Sequence, residues 1–125
     1  MEIKEFDDLL NIGQVTRVVE LGGHKFRLKT LNALEYNKLM ERTREHEKLT
    51  QGQQFESLQR WTLVFALESI DDKALNIEEK NKILSMSQVG LSNRLYEEYV
   101  KLMEEQTALL SESKKNSSQG DNGLS

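Results

Sequence analysis

Residues 16–31, TRVVELGGHKFRLKTL, place Gly22-Gly23 between two strand-like stretches, and this limits the fold more than any other part of the chain. Glycine enters the left-handed region at little steric cost, so a two-residue Gly-Gly loop suits a primed hairpin turn. Such a loop sets the register. Leu21 faces His24, Glu20 faces Lys25, Val19 faces Phe26, Val18 faces Arg27 and Arg17 faces Leu28. Because side chains alternate across a strand, Val19, Leu21, Phe26 and Leu28 share one face, edged by Arg17 and His24. The opposite face is mostly polar and carries the Glu20–Lys25 pair. Two strands alone are marginal in water. The hairpin must therefore lie on helices or complete a sheet supplied by another chain.

Helical patterns follow it. Asn32 with Glu35 matches a reciprocal capping box, and Tyr36, Leu39, Met40 and Thr43 form one semi-apolar stripe on a densely charged helix. Glu41 and Arg44 are spaced to pair across one turn of it. TQGQQ, residues 50–54, reads as a linker. From about Gln53 to Ile70 runs the strongest helical pattern, with Phe55, Leu58, Thr62, Phe65, Ala66 and Ser69 in phase. Trp61, Leu63, Val64, Leu67 and Ile70 widen its apolar arc, which marks a central helix. Asp71-Asp72-Lys73 is a turn, and Asn76 with Glu79 opens a short helix. Gly90 breaks or re-caps the chain before a last helix over residues 92–110, with Leu95, Tyr99, Leu102 and Met103 on one side.

These elements predict an α+β fold, mostly α: an N-terminal two-stranded antiparallel hairpin packed on a bundle of about four helices. The expected core is Val19, Leu21, Phe26, Leu28, Leu58, Trp61, Phe65, Leu95, Tyr99 and Leu102. Residues 1–15 form an N-terminal arm or short helix, residues 16–110 the hairpin and helical domain, and residues 111–125 a disordered polar tail.

Composition narrows the function. With 125 residues, the chain is long enough for one modest core. A formal net charge of −4 argues against a general nucleic-acid binder, although it leaves room for a local basic patch. The chain has no cysteine, hence no thiolate metal site and no disulfide framework. The longest wholly apolar run, residues 63–67, is far too short for a membrane span, and the acidic start MEIKEFDDLL does not read as a secretory signal.

The residues do not suggest catalysis. Gly22-Gly23 precedes a strand rather than a helix, so it is not a phosphate-binding loop. His24 reads as a surface residue at the hairpin tip and His46 as a solvated helix position. The acidic pairs Asp71-Asp72, Glu78-Glu79, Glu97-Glu98 and Glu104-Glu105 read as a turn, a helix start and wet helix faces. No catalytic residue, cofactor or metal site is expected. The polar features with most to offer are Arg17, Lys25, Arg27 and Lys29 on the hairpin, which suit an acidic partner or serve to keep strand edges apart. Tyr96 or Tyr99, three residues apart on the last helix, can supply an interface tyrosine, and Tyr96 is the candidate.

The sequence GGHKFRLKTL, the helix ending RWTLVFALESIDD, the segment IEEKNKIL and the final LYEEYVKLMEEQ together resemble small tail-assembly proteins of tailed bacteriophages. Tail assembly chaperones and baseplate-hub proteins are among them. The resemblance spans roughly residues 16–110, with LESIDD and LYEEYVKLMEEQ as its nearest parts. The proline-containing turn often found between those parts has no counterpart in SMSQVGLSN. The resemblance implies a non-enzymatic protein that binds a tape-measure, tube or hub protein, with no nucleic acid or membrane partner and with oligomers open to it. It would act in the host cytoplasm during assembly. The alternatives are a structural subunit of the virion baseplate or tail tip, and a small host-directed regulatory binding protein. Tail chaperones often have a longer frameshifted form, and the codons for Lys114-Lys115-Asn116 are where a slippage site would lie.

Overall fold

Gly22 and Gly23 turn the chain with φ of +60° and +82°, and the two flanking strands, β1 (Thr16–Leu21) and β2 (His24–Lys29), pair in the register the turn dictates. A computed structural model describes residues 7–44 and 48–117, with the side chains of Asp7, Asp8 and residues 112–117 left out. His46 and residues 118–125 therefore lie outside the described residues.

The sheet is larger than the hairpin. Strands β3 (Leu67–Ile70) and β4 (Lys73–Ala74) extend it to four antiparallel strands in the order β1-β2-β3-β4. The helix expected to run to Ile70 instead ends at Ala66. Leu67 caps it in an extended conformation, φ −78° and ψ 109°, while its N–H still bonds to the Leu63 carbonyl. The reason lies in β2, whose second edge needs backbone partners that a continued helix could not supply. Leu67 pairs with Leu28, Ser69 with Arg27 and Ile70 with Phe26. Asp71 and Asp72 close the second hairpin with φ of 51° and 66°. Aspartate tolerates that region better than most side chains, so a two-residue turn forms without glycine.

The turns of the two hairpins are tied together. Asp71 N–H donates to the Lys25 carbonyl at 2.8 Å, and Lys25 N–H donates to Asp71 Oδ1 at 2.8 Å. His24 Nδ1 and Asp71 Oδ2 are 2.6 Å apart. The His24 hydrogen bond, and then the Lys25 N–H, hold the Asp71 carboxyl below its usual pKa.

Among the described residues, four helices of ten residues or more accompany a single N-terminal turn, α1 (Asp7–Leu10). They are α2 (Ala33–Arg42), α3 (Gln51–Ala66), α4 (Ile77–Met86) and α5 (Val89–Ser117). Both expected capping boxes are present, at Asn32/Glu35 and Asn76/Glu79. A third opens α3: Thr50 accepts from Gln53 N–H, and the Gln53 side chain accepts from Thr50 N–H. The segment read as a linker is thus a helix start. Helix α5 also outruns the expected residues 92–110 at both ends, and the first residues assigned to the polar tail continue it.

Helix α5 lies across the inner face of the sheet. Its Leu95, Tyr99 and Leu102 join Val19, Phe26 and Leu28 of the first hairpin, with Leu63, Val64, Ala66 and Leu67 beside them. Leu84 closes the core from α4. Each fully buried leucine contributes about 1.5–3 kcal/mol of transfer free energy. Two expected core positions differ. Leu58 lies on the surface side of α3, and Trp61 is half-buried, with the Arg42 guanidinium 5.0 Å and that of Arg60 6.0 Å from its ring centre. The apolar arc of α3 is wider than the core it faces, so part of it stays uncovered. Phe65 is buried, and Leu21 is half-buried against the core.

Candidate functional site

The hairpin's basic residues do not gather into one patch. Arg17 sits on the inner side of β1 and reaches under the sheet to α5. Its guanidinium donates to Glu98 at 3.1 Å and also pairs with Glu105. Glu98 is a buried acid with two further cations, Arg94 at 3.0 Å and Lys101 at 3.3 Å. Burial opposes its ionisation, yet hydrogen bonds from Lys101 and Arg17 and the nearby positive charges outweigh that, and its pKa lies below the usual value. An acid so placed fastens hairpin to helix.

Lys29 is likewise engaged, its Nζ 2.6 Å from Glu35 Oε2. Glu35 also completes the α2 capping box, so one carboxylate fixes both the helix start and the end of β2. Only Lys25 and Arg27 present their side chains on the outer sheet face, beside Val18, Glu20, Ser69 and Asp72 in a shallow depression. Among the described residues neither has an ion pair of its own.

Tyr96 belongs to a different place. It is half-buried on the helical side of the sheet, in edge contact with Phe55 (ring centres 6.3 Å apart) and tilted against Tyr99 at 6.1 Å. With Tyr99 it lines a groove of about 810 Å³ between α2, α3 and α5. Leu58 from α3, Tyr36 and Met40 from α2 and Met103 from α5 complete its apolar wall. Tyr36 is 55% exposed, Met40 48%, Leu58 37% and Met103 37%, so water now covers much apolar surface here. Asn32, Asn37 and Arg44 supply polar groups around it. Burial, and then the neighbouring Tyr96 and Glu35, push the Tyr99 phenol up to about 12, so it stays a neutral donor at the groove floor.

The α2 stripe and the outer part of the α3 arc explain why this groove escapes a reading of the sequence. Tyr36, Met40 and Leu58 have core-like spacing, and nothing local distinguishes a stripe that meets another helix from one that lines a cleft. The available signal is an excess: the apolar arcs of α2 and α3 are together wider than a modest core can cover.

Among the described residues there is no cluster of three or more His, Asp or Glu able to hold a metal ion, and no helix long and apolar enough to cross a membrane. Comparison with protein-family models, with curated proteins and with solved structures finds no match to this chain.

Proposed function

We propose that this chain is a non-enzymatic assembly protein of a tailed-bacteriophage tail, which holds a tape-measure, tube or hub protein through the groove between α2, α3 and α5. The observation that carries the reading is the groove itself: an apolar wall of Tyr36, Met40, Leu58, Tyr96 and Met103, open to water in the isolated chain. Its occupant is an amphipathic helical segment of the partner. Three helix faces enclose a trough suited to such a segment, the two methionines adapt to differing side chains, and the tyrosine hydroxyls and asparagine amides suit a polar rim. The segment LYEEYVKLMEEQ, which carries part of the resemblance to tail-assembly proteins, contributes Tyr96, Tyr99 and Met103 to this wall.

Affinity capture after coexpression with the tape-measure, tube and hub proteins of the same genome tests this. A complex with one of them, lost in Met40→Asp and Tyr96→Asp variants that keep their helical circular dichroism, is the expected outcome. No complex with any of the three would end the proposal. The unpaired edge of β1 favours a second reading, a baseplate or tail-tip subunit whose sheet continues into neighbours. Mass spectrometry of purified virions separates the two, since an assembly factor leaves the particle and a subunit remains in it.

A further inference from the structure

The two edges of the sheet are built differently. Strand β4 ends the sheet with two residues, Lys73 and Ala74, a short and charged edge of the kind that resists pairing. Strand β1 ends it with six residues that include no proline and no lysine, and none of its pairings is irregular. In a hairpin closed by two residues, the flanking pair Leu21/His24 is hydrogen-bonded, and so are the alternate pairs Val19/Phe26 and Arg17/Leu28. The Lys25 C=O and N–H, which bond to the Asp71 N–H and carboxylate on the far side of β2, fit that parity. The N–H and C=O groups of Thr16, Val18 and Glu20 therefore point away from the sheet. Among the described residues, β2 alone pairs with β1, and these six groups have no partner.

We infer that β1 pairs antiparallel with β1 of a second copy of this chain, about a two-fold axis at Val18, to give one continuous sheet across a dimer. The sequence of the strand suits itself in this register. Val18 meets Val18, Thr16 meets Glu20, Arg17 meets Val19 and Val15 meets Leu21, so no like charges stand opposite one another. Val18 is 46% exposed in the single chain and gains an apolar neighbour. Three hydrogen-bonded pairs supply about six main-chain bonds. The register is also the one of greatest overlap. A slip by two residues one way sets Glu20 against Gln14, whose N–H is already bonded to the Asn11 carbonyl, and the other way sets Thr16 against the Gly22-Gly23 turn. The inference rests on the strand edge and stands whether or not the groove binds a tail protein.

Sedimentation equilibrium of the full chain tests it, together with Val18→Lys and Val18→Pro. Lysine sets two like charges at the axis, and proline removes an outward N–H that the β1–β2 ladder does not use. Each should weaken self-association at least about tenfold while the far-ultraviolet circular dichroism is kept. If the proline variant unfolds, the lysine variant decides. Register is read with single cysteines, which the native chain lacks. Across a hydrogen-bonded pair the α-carbons are about 5.5 Å apart, within disulfide reach, so oxidised Val18→Cys should cross-link and Thr16→Cys should not. A wild-type chain that stays monomeric, a dimer that survives Val18→Lys, or equal cross-linking at both positions would overturn the inference.

Discussion

The outer face of the sheet and the groove between α2, α3 and α5 are both uncovered, and they differ in kind. The sheet face is polar, with Glu20, Lys25, Arg27 and Ser69 around the apolar side chain of Val18. The groove is mainly apolar, with polar groups beside it. The first is the ordinary wet side of an antiparallel sheet whose other side is buried. The second exposes apolar side chains that none of the described helices covers, which is the more telling of the two. Charge on a strand thus does not by itself mark a free surface here. Two of the four basic residues on the hairpin, Arg17 and Lys29, are occupied within the fold.

The largest effect should come from confusing the two sides of the sheet. Phe26→Asp buries an unpaired charge on the inner face and should abolish cooperative thermal unfolding. Arg27→Asp, one residue on and on the outer face, should change stability by no more than about 0.5 kcal/mol. Equal effects at the two positions would dissolve the distinction between the faces.

Next comes the tie beneath the sheet. Glu98→Gln should cost about 1–3 kcal/mol in denaturant unfolding, because three cations lose their shared carboxylate. The effect has a pH signature. The Glu98 pKa is lowered in the fold, so its contribution is present above its ordinary value of 4.5 and is lost as pH falls through the lower folded value. The variant should therefore show a flatter loss of stability in acid than the native chain. An unchanged acid limb would mean that the Arg17–Glu98 contact does not fasten the hairpin.

A smaller effect is expected at the first turn. Gly23→Val places a branched side chain at φ +82°, which should cost about 1–2 kcal/mol through strain. The smallest lies in the groove. Met40→Asn and Leu58→Asn should each change stability by about 0.5 kcal/mol or less, since both side chains already meet water. A loss several times larger at either position would mean that the groove is part of the core.

The first hairpin was legible because everything that specifies it is local. A glycine pair sets the turn, alternation sets the faces, and both act within sixteen residues. The second hairpin was not. LESI follows a strongly helical run, and what makes it a strand is the open edge of β2, some forty residues earlier in the chain. The Asp71-Asp72 turn is visible as a turn, but aspartates at positive φ announce a hairpin much less clearly than Gly-Gly does. Thr50 and Gln53 do spell a capping box, masked by the glutamines and glycine around them. The site divides in the same way. Tyr96 could be singled out as a candidate from its spacing with Tyr99, whereas Tyr36, Met40, Leu58 and Met103 acquire meaning only when three helices are set side by side.

The proposed division of labour between the two surfaces is tested most directly by amide hydrogen exchange on the chain alone and in complex with the proposed tape-measure, tube or hub partner. Slower exchange in the complex over α2 and over residues 96–103 of α5, with β2 and β3 unchanged, is the expected result. Protection confined to β2 and β3, with α2 and α5 as in the free chain, would contradict it and move the binding site to the outer face of the sheet.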